Sequence, residues 1–238
     1  MQMLEIKSAT PTVEVKVPDK SVIILSGGLD STTLLYDIIS QGEDVYAISF
    51  NYNQKHKKEL KLAKKTCKLL NIPHKILNLK MLGDIAPSAL TRDDQEIPDG
   101  HYEDDNMKQT VVPNRNMVML SLATAYAIGI KAKKLYYGAH SGDHAIYPDC
   151  RKEFIDKMSE VIKICDWNSV ELSAPYWNMD KGDIVIRGLH LGVKYKNTWT
   201  CYKGKRKACG KCGACQERIL AFKKAQVRDP IKYEGEEW

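Results

Sequence analysis

Val22-Ile23-Ile24-Leu25-Ser26-Gly27-Gly28-Leu29-Asp30-Ser31 decides the fold class of this chain. An aliphatic run ended by a glycine pair reads as a strand buried on both faces. Hydroxyl and acidic residues follow at once, and residues 31–40 carry apolar positions at helical spacing. A buried strand turning sharply into a helix is the repeating unit of a parallel sheet. The turn itself has two readings. Asp30 or Ser31 can be the N-cap of an ordinary strand-to-helix connection. Alternatively, the free N–H groups and partial positive charge of the helix start form a phosphate cradle. In that reading Gly27 and Gly28 admit close approach of the backbone, and Ser26, Ser31, Thr32 and Thr33 add hydroxyls.

Working outward, further strands are predicted over 45–50, 75–79 and 135–138, with a shorter one over 170–174. Helices are predicted over 31–40, 55–70, 116–130, 152–164 and 181–191. The alternation predicts an α/β fold, a doubly wound parallel five-stranded sheet covered on both faces. Val13, Val15 and Val17 alternate with polar residues and suggest an extra edge strand. Residues 80–112 show no periodicity. They carry Asp93, Asp94, Glu96, Asp99, Glu103, Asp104 and Asp105 with no Lys or Arg among residues 93–105. Such a stretch is either a solvated loop or a segment covering the site.

Composition bounds the rest. At 238 residues and 43% hydrophobic, the chain supports one large domain or a domain with a small appendage. No apolar run reaches the length of a membrane span. The first ten residues include Glu5 and Lys7 and lack a secretory apolar stretch, so a cytoplasmic protein is expected. A formal charge of +6 suits an anionic ligand such as a nucleotide and is too mild to argue for direct nucleic-acid binding. The glycine turn has no following Gly-Lys-Ser/Thr, and no GxGxxG is followed by a distant acid. A P-loop lysine and a dinucleotide fold are therefore both disfavoured.

Seven cysteines, an odd number, argue against a disulfide framework. Cys201, Cys209, Cys212 and Cys215 crowd together, and four thiolates at this spacing predict a tetrahedral structural zinc site. An iron–sulfur cluster is the alternative, but the usual final Cys-Pro is absent. Lys203, Lys205, Arg206, Lys207, Lys211 and Arg218 are expected to offset the site's negative charge. Cys67 and Cys165 are expected in the core, and Cys150 as a small packed side chain rather than a nucleophile. His56 and His101 show no partner in sequence and are expected at the surface.

Ser26-Gly27-Gly28-Leu29-Asp30-Ser31 resembles the signature of the PP-loop ATP pyrophosphatases, whose fold is adenine nucleotide alpha hydrolase-like. Residues 49–60, 112–116, 147–154 and 198–203 resemble one branch of them, the 7-cyano-7-deazaguanine synthases (QueC), and the likeness runs from about Ser21 to Pro230. Two departures stand out: Asn53 and Asn114 occupy positions where that family more often has Gly. The resemblance implies that ATP, ammonia and 7-carboxy-7-deazaguanine are converted to the nitrile through an adenylated acid and an adenylated amide. It implies Mg²⁺ with the ATP, a homodimer, and an α/β domain over 1–195 carrying a zinc-binding segment over 196–238.

ATP contacts are then expected from Leu25, Ser26, Gly27, Gly28, Leu29, Asp30, Ser31, Thr32, Thr33, Phe50, Asn51 and Arg115. Phe50 and Asn51 leave the second strand beside the cradle, where they frame adenine or simply pack a strand end. Arg115, ahead of an apolar helix, is an anion-binding cation or a solvated one. Asn116, Asp143, His144, Asp149 and Arg151 are expected near the deazaguanine, since aspartate pairs with a guanine-like edge and arginine with a carboxylate. No general base carries a signature. Rival readings are a tRNA thiolase using Cys150, an amidating synthetase that stops at the amide, and a zinc-ribbon nucleic-acid module.

Overall fold

The computed structural model describes residues 18–101, 104–203 and 206–235. The strand suggested by Val13, Val15 and Val17 lies outside the described residues. Strands β1 (Lys20–Ile24), β2 (Asp44–Asn51), β3 (His74–Asn78), β4 (Lys134–Tyr136) and β5 (Glu171–Ser173) form one sheet. Its order is β3-β2-β1-β4-β5, and every neighbouring pair is parallel. The α-helices among the described residues are α1 (Leu29–Ser40), α2 (Lys58–Leu69), α3 (Lys80–Ile85), α4 (Arg115–Gly129), α5 (Lys152–Ile164), α6 (Lys181–His190) and α7 (Gly213–Lys224).

Successive strand residues point to opposite faces. Val22, Ile48 and Leu135 therefore pack with Leu120 and Ala123 of α4 and Ile155 of α5 on one side. Ile23, Val45 and Ala47 pack with Leu34 and Leu35 of α1, Ala63 of α2 and Ile184 of α6 on the other. An ion pair fixes the second layer. Asp37 of α1 accepts from Arg187 Nε and Nη2 of α6 at 2.5 and 2.6 Å, and from the Tyr176 hydroxyl at 2.9 Å. Burial alone would raise the Asp37 pKa, but the Arg187 and Tyr176 hydrogen bonds hold it below the ordinary value.

The chain runs outward from β1 to β3, then returns to β4 on the opposite side of β1. Connections from β1 and β4 consequently diverge and leave a crevice at their C-terminal ends, the ligand position of open α/β sheets.

In the described part of residues 80–112 the carboxylates are solvated while apolar residues anchor the segment to the core, and none of it lines that crevice. Leu90, Ile97, Met107 and Val112 are buried because the segment packs into the core through α3 and a 3₁₀ helix at Asp105–Thr110. It reaches the cysteine segment instead: Gly100 N donates to Lys211 O at 3.0 Å, and Lys203 Nζ meets Asp99 Oδ1 at 2.7 Å. Cys67 is buried as expected, whereas Cys165 is exposed. It is the C-cap of α5, one residue beyond the last turn, where the helix's apolar face has run out.

Candidate active site

The turn after β1 is shaped by what lies behind it. Gly27 has φ +90, and a Cβ there would come within 2.2 Å of the Glu59 carbonyl of α2, so only glycine fits. The N-cap of α1 is Gly28, with no side-chain cap, which replaces the expected Asp30 or Ser31 cap. Ser26 Oγ accepts from Gly28 N at 3.1 Å and lies 2.9 Å from Ser31 Oγ, which accepts from Ser26 N at 3.2 Å. These hydroxyls brace the loop, while the helix start offers its N–H groups to the crevice. Leu29 and Thr33 face the core, and Thr33 Oγ1 donates to Leu29 O at 2.9 Å.

Asp30 projects into a cleft of about 200 Å³. Its Oδ2 lies 3.4 Å from Lys181 Nζ and 3.7 Å from His140 Nε2, while its Oδ1 is buried with no partner. Lys181 begins α6 and reaches Glu217 Oε2 of α7 at 2.5 Å. Asp143 Oδ2 stands 3.5 Å from His140 Nε2, and His140 Nδ1 accepts from Gly142 N at 3.1 Å. Burial would raise the Asp30 pKa, but Lys181 and then His140 hold it below the ordinary range. Burial raises that of Glu217. Burial opposes the charge on Lys181, yet Asp30 and Glu217 hold it protonated. A buried carboxylate oxygen left free in such a cluster is the donor type a hard cation takes.

The facing wall comes from β2, α4 and the segment after β4. Arg115 opens α4 with Nε 3.3 Å from Asn116 Oδ1, and its guanidinium lies 5.8 Å from the ring centres of Tyr52 and Tyr147. Among the described residues no carboxylate lies within ion-pair distance of Arg115, so its charge is available to an anion. Asp149 Oδ2 accepts from Asn116 N at 3.2 Å and thereby caps α4. Cys150 Sγ is 3.3 Å from the Tyr137 hydroxyl, and burial pushes its thiol well above the usual range, an unreactive state.

His56 is not a surface residue. It is 3% exposed, with Nε2 at 3.1 Å from Glu59 Oε2, because the 51–57 turn folds back into the cleft ahead of α2.

Of the residues expected to touch ligand, Leu25, Ser26, Gly28, Asp30, Ser31, Phe50, Arg115, Asn116 and Asp143 line the cleft. Gly27, Leu29, Thr32, Thr33, Asn51, His144, Asp149 and Arg151 do not; Asn51 Oδ1 instead accepts from Asn53 N, and exposed Arg151 donates to His144 O at 2.9 Å. The sequence reading passed over Lys181, His140 and Glu217, which stand far apart in the chain with no shared motif. His56, expected at the surface, pairs with Glu59, and their three-residue spacing at a helix start was a usable signal.

The cysteine segment abuts this site. All four sulfurs lie within 4.8 Å of one another, and they can hold a metal ion. Cys209 N donates to Cys201 Sγ at 3.3 Å, and Lys211 N and Cys212 N donate to Cys209 Sγ at 3.4 and 3.3 Å. Gly210, at φ +74, permits that tight turn. Four buried sulfurs in one shell are the donor set of a thiophilic cation, so the residues present fit a metal.

Arg218 does not offset that charge. It is fully buried in a bidentate pair with Asp229, at 2.7 and 2.9 Å, because α7 carries it inward. The segment also supports the cleft: Trp199 N donates to Gly27 O at 3.1 Å, and Thr200, Tyr202 and Ala214 line it.

The profile of the family described as "Queuosine biosynthesis protein QueC" matches residues 20–226. The chain belongs to the QueC family. The 7-cyano-7-deazaguanine synthase of Methanoregula boonei is 62% identical over 215 residues, 90% of this chain and 99% of that protein. The 7-cyano-7-deazaguanine synthase of Caldicellulosiruptor saccharolyticus is 61% identical over 217 residues, 91% of this chain and 96% of that protein. Among solved structures, NMN synthetase from Francisella tularensis overlaps 91% of this chain and 81% of its own, at 14% identity and a TM-score of 0.48. Both positions where this QueC chain has Asn for Gly have left-handed backbone, φ 67 at Asn53 and φ 58 at Asn114. Asparagine is the residue that best replaces glycine there, so neither substitution disturbs the turn.

Proposed function

We propose that this QueC-family chain is a 7-cyano-7-deazaguanine synthase, joining ammonia to 7-carboxy-7-deazaguanine at the expense of ATP. The supporting observation is a cleft with an uncapped helix start on one wall and an unpaired Arg115 on the other. Gly28, Ser26 and Ser31 hold the pyrophosphate end of ATP, and Lys181 adds a fixed positive charge beside it. Arg115 steadies the α-phosphate as the substrate carboxylate attacks it. Asp30 Oδ1 is the atom that would hold Mg²⁺ brought with ATP, and the ion would supply neutralisation of phosphate charge there. Asn116 and Asp143 face the deazaguanine. His144, Asp149 and Arg151 act from behind, by shaping the segment that carries Asp143.

Zinc is the metal assigned to Cys201, Cys209, Cys212 and Cys215, since four thiolates in one shell leave no open catalytic position. Residues 196–238 are then an appendage on the α/β domain of 1–195. Ammonia arrives free or from an external donor. A cytoplasmic location is consistent with seven free cysteines. No helix among the described residues is long and apolar enough to cross a membrane. A homodimer rests on the family likeness alone.

The test is incubation with 7-carboxy-7-deazaguanine, ammonium and Mg-ATP. AMP, pyrophosphate and a product of nitrile mass are expected; finding neither AMP nor that product would sink the assignment. A product stopping at the amide mass would favour the amidating synthetase. Cys150→Ser is expected to spare most activity, since this thiol is held protonated; abolition would favour the thiolase.

A further inference from the structure

Ammonia brings three hydrogens, and a nitrile nitrogen keeps none. One proton leaves when the nitrogen lone pair forms the C–N bond and the acyl C–O bond to AMP breaks. A second leaves as the amide oxygen attacks the α-phosphorus of another ATP, pyrophosphate departs and C=N forms. The third leaves as that C–O bond breaks, AMP takes the electron pair and C≡N forms. A base must therefore stand beside the substrate carbon, close to the phosphate loop yet not on it.

Most basic groups of the cleft are committed elsewhere. Lys181 is held protonated between Asp30 and Glu217. Arg115 cannot give up its proton. His140 Nδ1 already accepts from Gly142 N. His56 differs. It is nine-tenths buried and more, it lines the cleft, and its Nδ1 has no hydrogen-bond partner. Its Nε2 is 3.1 Å from Glu59 Oε2, and the Tyr202 ring packs at 5.6 Å. The pair sits against the loop: Glu59 Oε1 is 3.9 Å from where a Cβ on Gly28 would lie.

We propose that His56 Nδ1, oriented by Glu59, is the general base that removes the nitrogen's protons; this rests on the synthase reading above. With Nε2 at 3.1 Å from the Glu59 carboxylate, the tautomer that carries its proton on Nε2 is favoured, and Nδ1 keeps an unpartnered lone pair in the wall of the cleft. Glu59 stabilises the imidazolium formed at each removal, as a carboxylate does in other carboxylate–histidine pairs. Its side chain is 12% exposed, which gives the proton a way out between steps.

The experiment separates activation from amidation. Acid-dependent exchange of labelled pyrophosphate into ATP, without ammonia, reports adenylate formation; nitrile yield reports the proton steps. His56→Gln is expected to keep exchange within about threefold of wild type while nitrile formation falls about 100-fold or more. Glu59→Gln, a positioning change, is expected to keep exchange and lose about tenfold in nitrile formation. It carries the same split should His56→Gln fail to fold. Nitrile formation at the wild-type rate in His56→Gln would overturn the assignment. So would equal loss of both readouts, which would mean that the pair only shapes α2 against Gly27. Absence of exchange in the wild type would overturn the synthase reading and the base with it.

Discussion

In the cleft, Asp30 Oδ1, His56 Nδ1 and Thr200 Oγ1 are buried without partners; in the adjoining cysteine knuckle, backbone N–H groups close around the sulfurs of Cys201 and Cys209. Both regions are buried, and both draw on residues 199–203 and 206–215. They differ in who completes them. Buried polar groups left open cost stability unless a ligand satisfies them, so they mark where substrates come and go. A sulfur set arranged inward can hold a metal ion, and the segment that carries it keeps Trp199 and Thr200 against the phosphate loop.

On the zinc assignment proposed above, the contrast is broken most forcefully by a chelator. Structural zinc in small thiolate sites contributes about 10–16 kcal/mol, as much as a whole domain's stability. Chelation at neutral pH is therefore expected to abolish the cooperative melt followed by circular dichroism. An unchanged melt would mean that the knuckle holds itself together.

Opening the cleft should do the reverse, sparing the fold and removing activity. Asp30→Asn is expected to lower acid-dependent AMP release about 100- to 1000-fold, with little change in melting temperature. A loss below about tenfold would remove Asp30 from the charge-handling set.

Arg218 tests whether the knuckle's support is itself a closed pair. Arg218→Met leaves Asp229 buried and unpaired, so urea unfolding should show a loss of about 3–5 kcal/mol. Adding Asp229→Leu should restore most of it; no recovery would mean that lost packing, not the stranded charge, is responsible.

The smallest effect lies in the sheet layer away from both regions. Asp37 has a depressed pKa, so its contribution is present above the ordinary carboxylate value and is lost as pH falls through its lowered one. Arg187 is half exposed, which screens the pair, so Asp37→Asn should cost only about 1–2 kcal/mol at neutral pH. The difference from wild type should close in acid; a gap that persists there would mean the loss is not electrostatic.

Local patterns carried most of the architecture. β-branched runs at 22–25 and 45–50 and the helical spacing of 152–164 follow from burial periodicity, which acts within a few residues and is readable in order along the chain. The four cysteines were legible for the same reason. The solvated carboxylates of the 80–112 stretch were legible, but its anchoring was not, because the buried Leu90, Ile97 and Met107 are spaced by no single period. Likewise α7 opens on the cysteines and hides Arg218, a charge that sequence assigns to the surface.

The sequence by itself determined a parallel α/β sheet, a phosphate-type turn and a metal-type knuckle, because each is encoded by neighbouring residues. Only the tertiary structure decided that Asp30, His140, Lys181 and Glu217 share one cluster. It also decided that His56 is buried beside Glu59 at the cleft. Those groups come from separate elements that meet because the strand order reverses beside β1, and no local interaction records that meeting.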